Sequence, residues 1–392
     1  MVRTRIQNIK AVIALALRAR DARRATRGSL GLATLVLAAA TLVAAAANAT
    51  VGFSGYIDTY YQYNFNTGDA LFHAFNPKHD SISLAMAELD VDASINDWLY
   101  GRLDLSFGNS TPIIAYNAYA LSTNYRKSEA FARAMQYIQQ AYVGVKFNLF
   151  KTNVSLDIGK FNTHMGYEVI ESKDNINYTR GLLFTYTIPF YHTGLRIDVP
   201  LSRYFGFRGY FLNGWDVDLD NNKYKTGGAH VYMNPVPGKW SLAVLWTGGG
   251  EGIGVKGNRH VMKFLSTFNI TTNHSLGVDY VYGLDKAASA PNTHWTGAAI
   301  YYKGIFRRAN PGYMLGIRYE YLEDKDGFRT GLAQKLYEGT LTQELRIKDN
   351  YTLRRDYKYE WSSEKVAYGD PTSSSGLSDH QSTLTGGVVA AF

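Results

Sequence analysis

Hydrophobic and polar positions alternate with period two over most of the chain after residue 50. Near the C-terminus, for example, Tyr357, Tyr359 and Trp361 alternate with Lys358 and Glu360. This alternation is the pattern of β-strands that have one apolar and one polar face. Sixteen segments are predicted as strands, with the limits 51–65, 81–95, 98–107, 134–148, 152–160, 191–199, 203–214, 224–234, 239–247, 259–270, 274–283, 294–306, 312–323, 337–348, 351–361 and 380–392.

The connections between these segments alternate between long loops and short turns. The long ones are 66–80, 108–133, 161–190, 215–223, 248–258, 284–293, 324–336 and 362–379, and the short ones are 96–97, 149–151, 200–202, 235–238, 271–273, 307–311 and 349–350. If the first strand starts in the periplasm, every long loop lies outside the cell and every short turn inside, as in bacterial outer-membrane barrels. We therefore predict an all-β fold, a transmembrane antiparallel β-barrel of about 16 strands.

A soluble β-sandwich is the alternative, because alternation alone does not choose between the two architectures. Two features favour the barrel. The polar faces carry too many charges for a protein core, whereas a barrel turns its apolar face to lipid and its charged face to a wet lumen. The chain also ends in Val388-Val389-Ala390-Ala391-Phe392, and a terminal Phe is typical of barrels that the outer-membrane assembly machinery recognises.

One connection is long enough to serve a purpose of its own. Strand alternation stops after Ile158 and resumes only near Leu195, which leaves a loop at 161–189. Compact domains rarely carry connections of this length without a function. In a barrel such a loop can fold inward, and we predict that it narrows the lumen.

The first 49 residues read as a signal peptide that is removed from the mature protein. A basic region is followed by the apolar run 30–47, and Ala47-Asn48-Ala49 offers a cleavage site of small residues. A membrane anchor is the alternative, since eighteen apolar residues could nearly span a bilayer. The leader holds eight of the 41 basic residues but only one acid, Asp21, so the barrel at 50–392 is nearly neutral.

Composition excludes several function classes. The near-neutral barrel gives no support to nucleic-acid binding. The absence of Cys excludes disulfides, thiolate metal sites and a lipid anchor on cysteine. The 30 Tyr, 19 Phe and 6 Trp all follow the leader, and Tyr and Trp favour membrane–water interfaces.

Several stretches resemble a known family. The leader, Gly159–Glu168 (GKFNTHMGYE), Ile188–Arg196 (IPFYHTGLR), Phe211–Asp216 (FLNGWD) and the terminal Phe392 are similar to the β-barrel porin-2 family of Gram-negative outer membranes. The resemblance spans most of the mature chain. It implies an outer-membrane channel of unassigned substrate, and it assigns no residue a chemical role.

Charged residues on the long loop and on the polar strand faces are the candidate pore residues. Acids on an inward loop that face arginines on the wall would set a transverse field, and rings of charge are how pores select ions. The loop contributes Glu168, Glu171, Asp174 and Arg180, and the wall contributes Arg196, Arg208, Arg318, Arg346 and Arg354. Because acids such as Asp58, Glu88, Asp90, Asp92 and Asp104 share the luminal faces, we expect weak ion selectivity only. The alternative is that these are ordinary solvated charges.

Three further patterns carry little chemistry. Residues 252–257 spell G-x-G-x-x-G, but strands flank them, so a surface loop is favoured over a dinucleotide site. Asp216, Asp218 and Asp220 alternate as in calcium loops, yet the Gly and Glu of an EF-hand are missing, which leaves opportunistic cation binding as a minor alternative. His164 and Glu168 could form a metal pair, but the nine His are scattered, and no metal or cofactor is predicted.

The sequence predicts a passive diffusion channel in the outer membrane for small polar solutes, without a catalytic residue. Two alternatives stay open, namely a barrel hydrolase of envelope lipids and a surface adhesin or scaffold with a plugged lumen. The expected partners are outer-membrane lipid and lipopolysaccharide, the barrel-assembly machinery through Phe392, and two further copies of the chain in a homo-trimer.

Overall fold

The computed structural model describes residues 49–66, 68–114, 135–149, 151–220, 222–251, 257–286, 291–348, 350–366, 368 and 376–392. The predicted signal peptide falls almost wholly outside the described residues. Residues Thr50–Phe392 form one compact unit. Among the described residues, no helix combines the length and the apolar character needed to cross a membrane.

In the part of the chain that the structure describes, sixteen antiparallel strands close into a barrel in which each strand pairs with its neighbours in the chain. The first and last strands complete the ring, with Tyr56 opposite Ala391 and Asn64 opposite Thr383. The strands are β1 Thr50–Asn64, β2 Ser81–Ser94, β3 Leu99–Phe107, β4 Ile138–Leu149, β5 Thr152–Asn162, β6 Tyr191–Val199, β7 Phe205–Leu212, β8 Thr226–Val236, β9 Trp240–Gly250, β10 Asn258–Asn269, β11 His274–Lys286, β12 Thr293–Arg307, β13 Gly312–Asp324, β14 Gln334–Lys348, β15 Tyr351–Val366 and β16 Ser378–Ala391. The predicted fold class and strand number are confirmed.

The two faces of the strands differ as a membrane barrel requires. On β15, Tyr357 and Tyr359 point outward and are 46% and 45% exposed, whereas Lys358 and Glu360 point inward and are 1% exposed. This is the reverse of a soluble protein, in which apolar side chains are inside. It arises because the outer face meets lipid and the charged inner face finds partners within the barrel.

The predicted strand limits are close to the observed ones, and the differences have local causes. The fourth strand was expected from residue 134 but begins at Ile138, because residues 135–137 form a turn. The fifteenth extends to Val366, beyond the predicted end at 361, because backbone pairing with Ser378 continues after a register shift. Long loops and short turns alternate as expected, so all the long loops emerge at one end of the barrel.

Aromatic side chains from three long loops pack together at that end. Phe75 lies 5.8 Å from Phe184 and 5.6 Å from Phe190, measured between ring centroids, in tilted and edge-on contacts. Phe72 makes an edge-on contact with Tyr368 at 5.6 Å. We call this set the mouth cluster. Aromatic pairs in these geometries add about 0.5–1.5 kcal/mol each beyond their area burial, so the cluster holds the three loops together.

Candidate functional site: the inner loop

Residues 163–190, the inner loop, connect β5 to β6 and lie inside the barrel. The loop contains a 3-10 turn at Ser172–Asp174 and one short helix, α1, at Leu182–Thr187. Its side chains Met165, Leu183 and Tyr178 are at most 1% exposed. The inward-folding loop predicted from the sequence is therefore present, and its contacts with the wall define the candidate site.

An ion-paired network joins the inner loop to β13 and β14. Arg318 on β13 donates through Nη1 to Glu168 Oε1 of the loop at 2.5 Å and to the Thr179 carbonyl at 2.6 Å. Its Nε donates to Glu338 Oε1 at 2.8 Å. Lys358 on β15 extends the network through Glu338 at 3.2 Å. A buried charge of this kind is tolerated only when it is paired and hydrogen-bonded, and Arg318 meets both conditions.

Further along the loop, β15 holds the backbone around the 3-10 turn. Arg354 donates from its two terminal nitrogens to the carbonyls of Ser172 and Asn175, at 2.6 and 2.7 Å. Asp356 accepts from both the backbone N and the hydroxyl of Thr179, at 2.8 and 2.9 Å. The planar guanidinium of Arg354 suits such forked contacts. They fix the path of the loop backbone and place a positive charge against it.

The opposite side of the loop reaches β1 and β4. Asp58 on β1 accepts from the Ser172 hydroxyl at 2.6 Å and from the Tyr178 hydroxyl at 2.7 Å. Glu171 accepts from Gln139 on β4 at 2.5 Å. Burial raises the pKa of the Glu171 carboxyl above its usual value. The inner loop, which connects β5 to β6, is thus also attached to β1 and β4 and, across the barrel, to β13 and β15.

The helical end of the loop is held by β13 and by the connection that follows it. The backbone N of Leu182 donates to Glu320 on β13, and Arg329 donates to the carbonyl of Tyr186. Arg329 lies 5.1 Å from the ring centroid of Trp215, and burial lowers the pKa of its guanidinium to about 10, so it stays protonated at neutral pH. These contacts hold α1, which contributes Phe184 to the mouth cluster, against the wall.

Glycines on the wall make room for the loop. A Cβ at Gly387 on β16 would overlap the ring of Tyr178, and one at Gly277 on β11 would overlap Tyr167. A Cβ at Gly297 would likewise meet Leu183. Since these strand positions would otherwise favour a larger residue, the wall is shaped to the loop at these points.

Near its start, the loop carries one member of a histidine cluster formed by His164, His192 and His230. The ring of His164 stacks on Tyr210 at 3.9 Å, and its centroid is 5.5 Å from His192 and 6.4 Å from His230. Its Nε2 lies 3.3 Å from the Trp246 carbonyl oxygen. Burial, followed by the charge of His192, lowers the pKa of His164 well below its usual value. Glu168, which the sequence could have paired with His164 at a metal, instead bonds Arg318.

The wall arginines expected in the lumen fall into three groups. Arg318 and Arg354 are buried under the loop. Arg196 and Arg208 line the side of the barrel away from them and pair with Asp157 at 2.7 Å and Asp198 at 3.0 Å, with side chains 23% and 39% exposed. Arg346 pairs with Glu344 at 3.2 Å and is 54% exposed.

The other two loop charges, Arg180 and Asp174, have partners within the loop itself. Arg180 is buried and donates to the carbonyls of Tyr178 and Ile170, so it stabilises the loop itself. Asp174 pairs with its neighbour Lys173 at 2.7 Å and is exposed.

The acids at Asp216, Asp218 and Asp220 do not come together as a cation site. Asp216 accepts from the backbone of Phe190 at 2.5 Å, Asp218 pairs with Lys160 at 3.0 Å, and Asp220 pairs with Lys225 at 2.5 Å. Each carboxylate thus faces a different donor.

Below the loop, toward the short turns, a cavity of about 480 Å³ is left. The loop supplies its ceiling, and the ends of β8 to β12 supply its walls. Its polar lining includes Glu168, Asp174, Asn234, Ser266 and Lys303. Charges of both signs therefore face this space.

A closed barrel of sixteen strands with an apolar outer face and a charged, loop-occupied interior is an outer-membrane channel protein of the porin class. The chain belongs to the family described as putative beta-barrel porin-2, OmpL-like, which matches residues 50–392. The family resemblance found in the sequence is thereby confirmed. A comparison with curated protein sequences finds no match.

Solved porin structures share the fold. An anion-selective porin from Comamonas acidovorans superposes with a TM-score of 0.57 at 11% identity, covering 88% of this chain and 100% of that one. The outer membrane channel DcaP of Acinetobacter baumannii superposes with a TM-score of 0.55 at 12% identity, covering 88% of this chain and 98% of that one. OmpT of Vibrio cholerae, in a trimer form, superposes with a TM-score of 0.55 at 15% identity, covering 88% of this chain and 99% of that one. At these identities the likeness is one of fold alone.

Proposed function

We propose that the protein is a passive diffusion channel for small hydrophilic solutes and that the inner loop forms its narrowest section. The observation that carries the proposal is the attachment of the loop to both sides of the wall. The loop leaves β5 and returns at β6, and its contacts with Arg318, Arg354 and Asp58 lie across the barrel on β13, β15 and β1, so the loop crosses the interior. Transport follows the solute gradient and needs no chemical step.

The solute path runs beside the loop, along the wall residues that keep some exposure. Arg196 and Arg208 give this side positive charge, while Asp157 and Asp198 offset it at short range. Because the charges are paired, we expect weak ion selectivity. Glu168, Arg318 and Arg354 act in this proposal by fixing the loop, and they contribute to the field of the pore without contacting the solute.

A plugged barrel that serves as an adhesin or scaffold is the second candidate. The mouth cluster favours it, because Phe75, Phe184 and Phe190 seal part of the interior with apolar contacts. The two functions differ in one measurable property, which is ionic conductance.

The test is single-channel recording of the full barrel in a planar bilayer, for the wild type and for a deletion of 169–177. The channel proposal expects stable openings, and a larger conductance with weaker charge preference in the deletion variant. A silent wild type that conducts after the deletion supports the plugged barrel. Equal conductance in both proteins places the loop outside the path and contradicts the constriction. A silent barrel with lipid turnover would instead favour the hydrolase.

We also propose that the chain reaches the outer membrane after cleavage of the leader at Ala49, with Phe392 recognised by the assembly machinery, and that it forms a homo-trimer in contact with lipid and lipopolysaccharide. The backbone of Phe392 is tied to Gly55 by hydrogen bonds of 3.0 and 3.1 Å, while its ring is 64% exposed and free to be recognised. Deleting Phe392 should lower the amount of barrel in the outer membrane and leave refolding in detergent unchanged. N-terminal sequencing of the membrane-inserted protein checks the cleavage site, and its mass in mild detergent checks the trimer.

A further inference from the structure

Three carboxylates on neighbouring strands converge inside the barrel, away from the contacts of the inner loop with Arg318. Glu88 and Asp90 lie on β2, and Asp104 lies on β3 directly opposite Asp90. One oxygen from each falls within 4.8 Å of the others, and all three residues are buried. Like charges directly opposite each other in a sheet are destabilising, so this arrangement needs a compensating partner.

The surrounding cations do not supply enough compensation. Arg102 is shared among Asp104 at 2.8 Å, Asp90 at 3.5 Å and also Asp92 at 3.3 Å. Lys173 of the inner loop forms its ion pair with Asp174 at 2.7 Å, and its charge is shared among Asp174, Glu171 and Glu88. Glu171 of the loop adds a further carboxylate, whose charge interacts with that of Glu88. The cluster therefore carries excess negative charge on carboxylates that are almost fully buried.

Unpartnered oxygens point to what is missing. Glu88 Oε2 and Asp90 Oδ1 are buried and accept no hydrogen bond from the residues that the structure describes. The hydroxyl of Ser106, which is opposite Glu88 and 1% exposed, likewise has no hydrogen-bond partner among these residues. It is an uncharged oxygen in addition to the three carboxylates. A buried hydroxyl without a partner is uncommon and calls for an explanation such as an ion.

We propose that Glu88, Asp90, Asp104 and the Ser106 hydroxyl bind a Ca²⁺ ion inside the barrel wall. Calcium takes six to eight oxygen ligands at about 2.3–2.6 Å, so ligand oxygens on one ion are separated by up to about 5 Å. The separation within the cluster agrees with that span. Carboxylate and hydroxyl oxygens are the ligand types that hard divalent cations prefer, and the acids would be joined by water molecules to complete the shell.

The ion would sit beside the attachment of the inner loop to β4. Gln140 donates to Asp104, and the adjacent Gln139 donates to Glu171 of the loop. Neutralising the cluster would reduce repulsion between Glu171 and the wall, so the occupied site would hold the first half of the loop in place. The inference concerns binding and can be tested without a bilayer, so its outcome is separate from that of the channel proposal.

The test is calorimetric titration of EDTA-treated, lipopolysaccharide-free full barrel in detergent with CaCl₂ at neutral pH. We expect saturable binding close to one ion per chain. The double variant Glu88→Gln, Asp104→Asn should bind at least about tenfold more weakly, since ligand charge sets calcium affinity. Asp92→Asn is the matched control, because Asp92 also pairs with Arg102 yet is 59% exposed and outside the cluster. It should bind like the wild type, and Asp220→Asn should do the same.

Several outcomes would overturn the proposal. These are no binding by the wild type, equal binding by the double variant, or loss of binding in Asp220→Asn, which would assign the ion to the outer loop. If the double variant does not fold, Tb³⁺ luminescence of the wild type still tests whether the ion is bound at this cluster. Tyr56 is opposite Glu88, so Tb³⁺ in the site should luminesce on tyrosine excitation, lose that signal to competing Ca²⁺, and dim in Tyr56→Phe. A wild type stabilised against heat by acid but not by Ca²⁺ would show that protons neutralise the cluster instead.

Discussion

Glu168 on the inner loop and Arg318 on β13 form an ion pair of 2.5 Å in which the side chains are 3% and 0% exposed. The two partners are not equivalent. Glu168 also accepts from the backbone N of Gly181 at 2.8 Å, whereas Arg318 additionally neutralises Glu338 at 2.8 Å and lies 4.0 Å from Glu320.

This asymmetry predicts different outcomes for the two substitutions. Arg318→Met leaves three buried carboxylates with Lys358 as the remaining nearby cation, and removing one partner of a buried pair costs about 3–5 kcal/mol. Glu168→Gln leaves Arg318 paired with Glu338 and should mainly loosen the inner loop. This loosening should appear as increased noise in the open-channel current. Heat-modified mobility on gels reports barrel stability, with the exposed Arg346→Gln as control. Equal damage from both substitutions would contradict the network as described.

Two adjacent glycines of β16 give a matched test of how the wall fits the loop. A Cβ at Gly387 would overlap Tyr178, while a Cβ at Gly386 meets nothing within 4 Å. Gly387→Val should displace Tyr178 from Asp58 and raise the single-channel conductance, and Gly386→Val should leave it unchanged. If both variants conduct like the wild type, the inner loop does not depend on Tyr178 for its position.

The inner loop should respond to acid through His164. The pKa of His164 is lowered by burial, so the docked loop holds the ring neutral, while a released loop would take up a proton below about pH 6.5. His192, His230 and Arg208 face the ring and disfavour its protonated form, whereas the hydrogen bond with the Trp246 carbonyl favours that form. The contribution of His164 to docking of the inner loop is therefore complete above about pH 6.5 and is lost as the pH falls below that value.

The corresponding measurement is conductance and noise of the channel between pH 7.5 and 5. We expect an increase on acidification that is smaller in His164→Gln, whose amide can still donate to the Trp246 carbonyl. His380→Gln, at an exposed histidine, is the control. An unchanged pH response in His164→Gln would assign the titration to another group.

Selectivity should depend on Arg196 and Arg208, whose side chains are partly exposed to the interior. Substituting Arg208 with Gln frees Asp198 and should shift the reversal potential in a KCl gradient toward cation preference. Because the pair is partly solvated, stability should change by about 0–1 kcal/mol only. Arg203→Gln, in the turn outside the strands, is the control. A reversal potential unaffected by Arg208→Gln would remove this wall from the ion path.

The fold could be predicted from the sequence because each strand must satisfy lipid on one face and water or charge on the other. That requirement is local, and it appears as alternation in most of the segments. The path of the inner loop could not be predicted, because its partners are distant in the chain. Arg180 illustrates the limit: its charge suggested a pore residue, but its donors bond two carbonyls of its own loop.

For the same reason, only part of the candidate site could be predicted from the sequence. The sequence identified acids on the loop and arginines on the wall, and Glu168 does meet Arg318. It gave no sign that this pair is buried, nor that His164, His192 and His230 approach each other from three elements. A triple of acids on β2 and β3 was visible as luminal charge, but its convergence depends on register, which alternation alone does not define.

The attachment of the inner loop has a consequence for how the protein folds. Glu168 precedes Arg318 by 150 residues, and Ser172 precedes Arg354 by 182. Contacts between residues so far apart in the chain form late, since the intervening chain must first be ordered. The loop is synthesised early but has nothing to bind until β13 and β15 are in place. Barrel closure, in which β16 reaches β1, and ordering of the loop should therefore occur as one late event, and an incomplete barrel would present an unstructured loop.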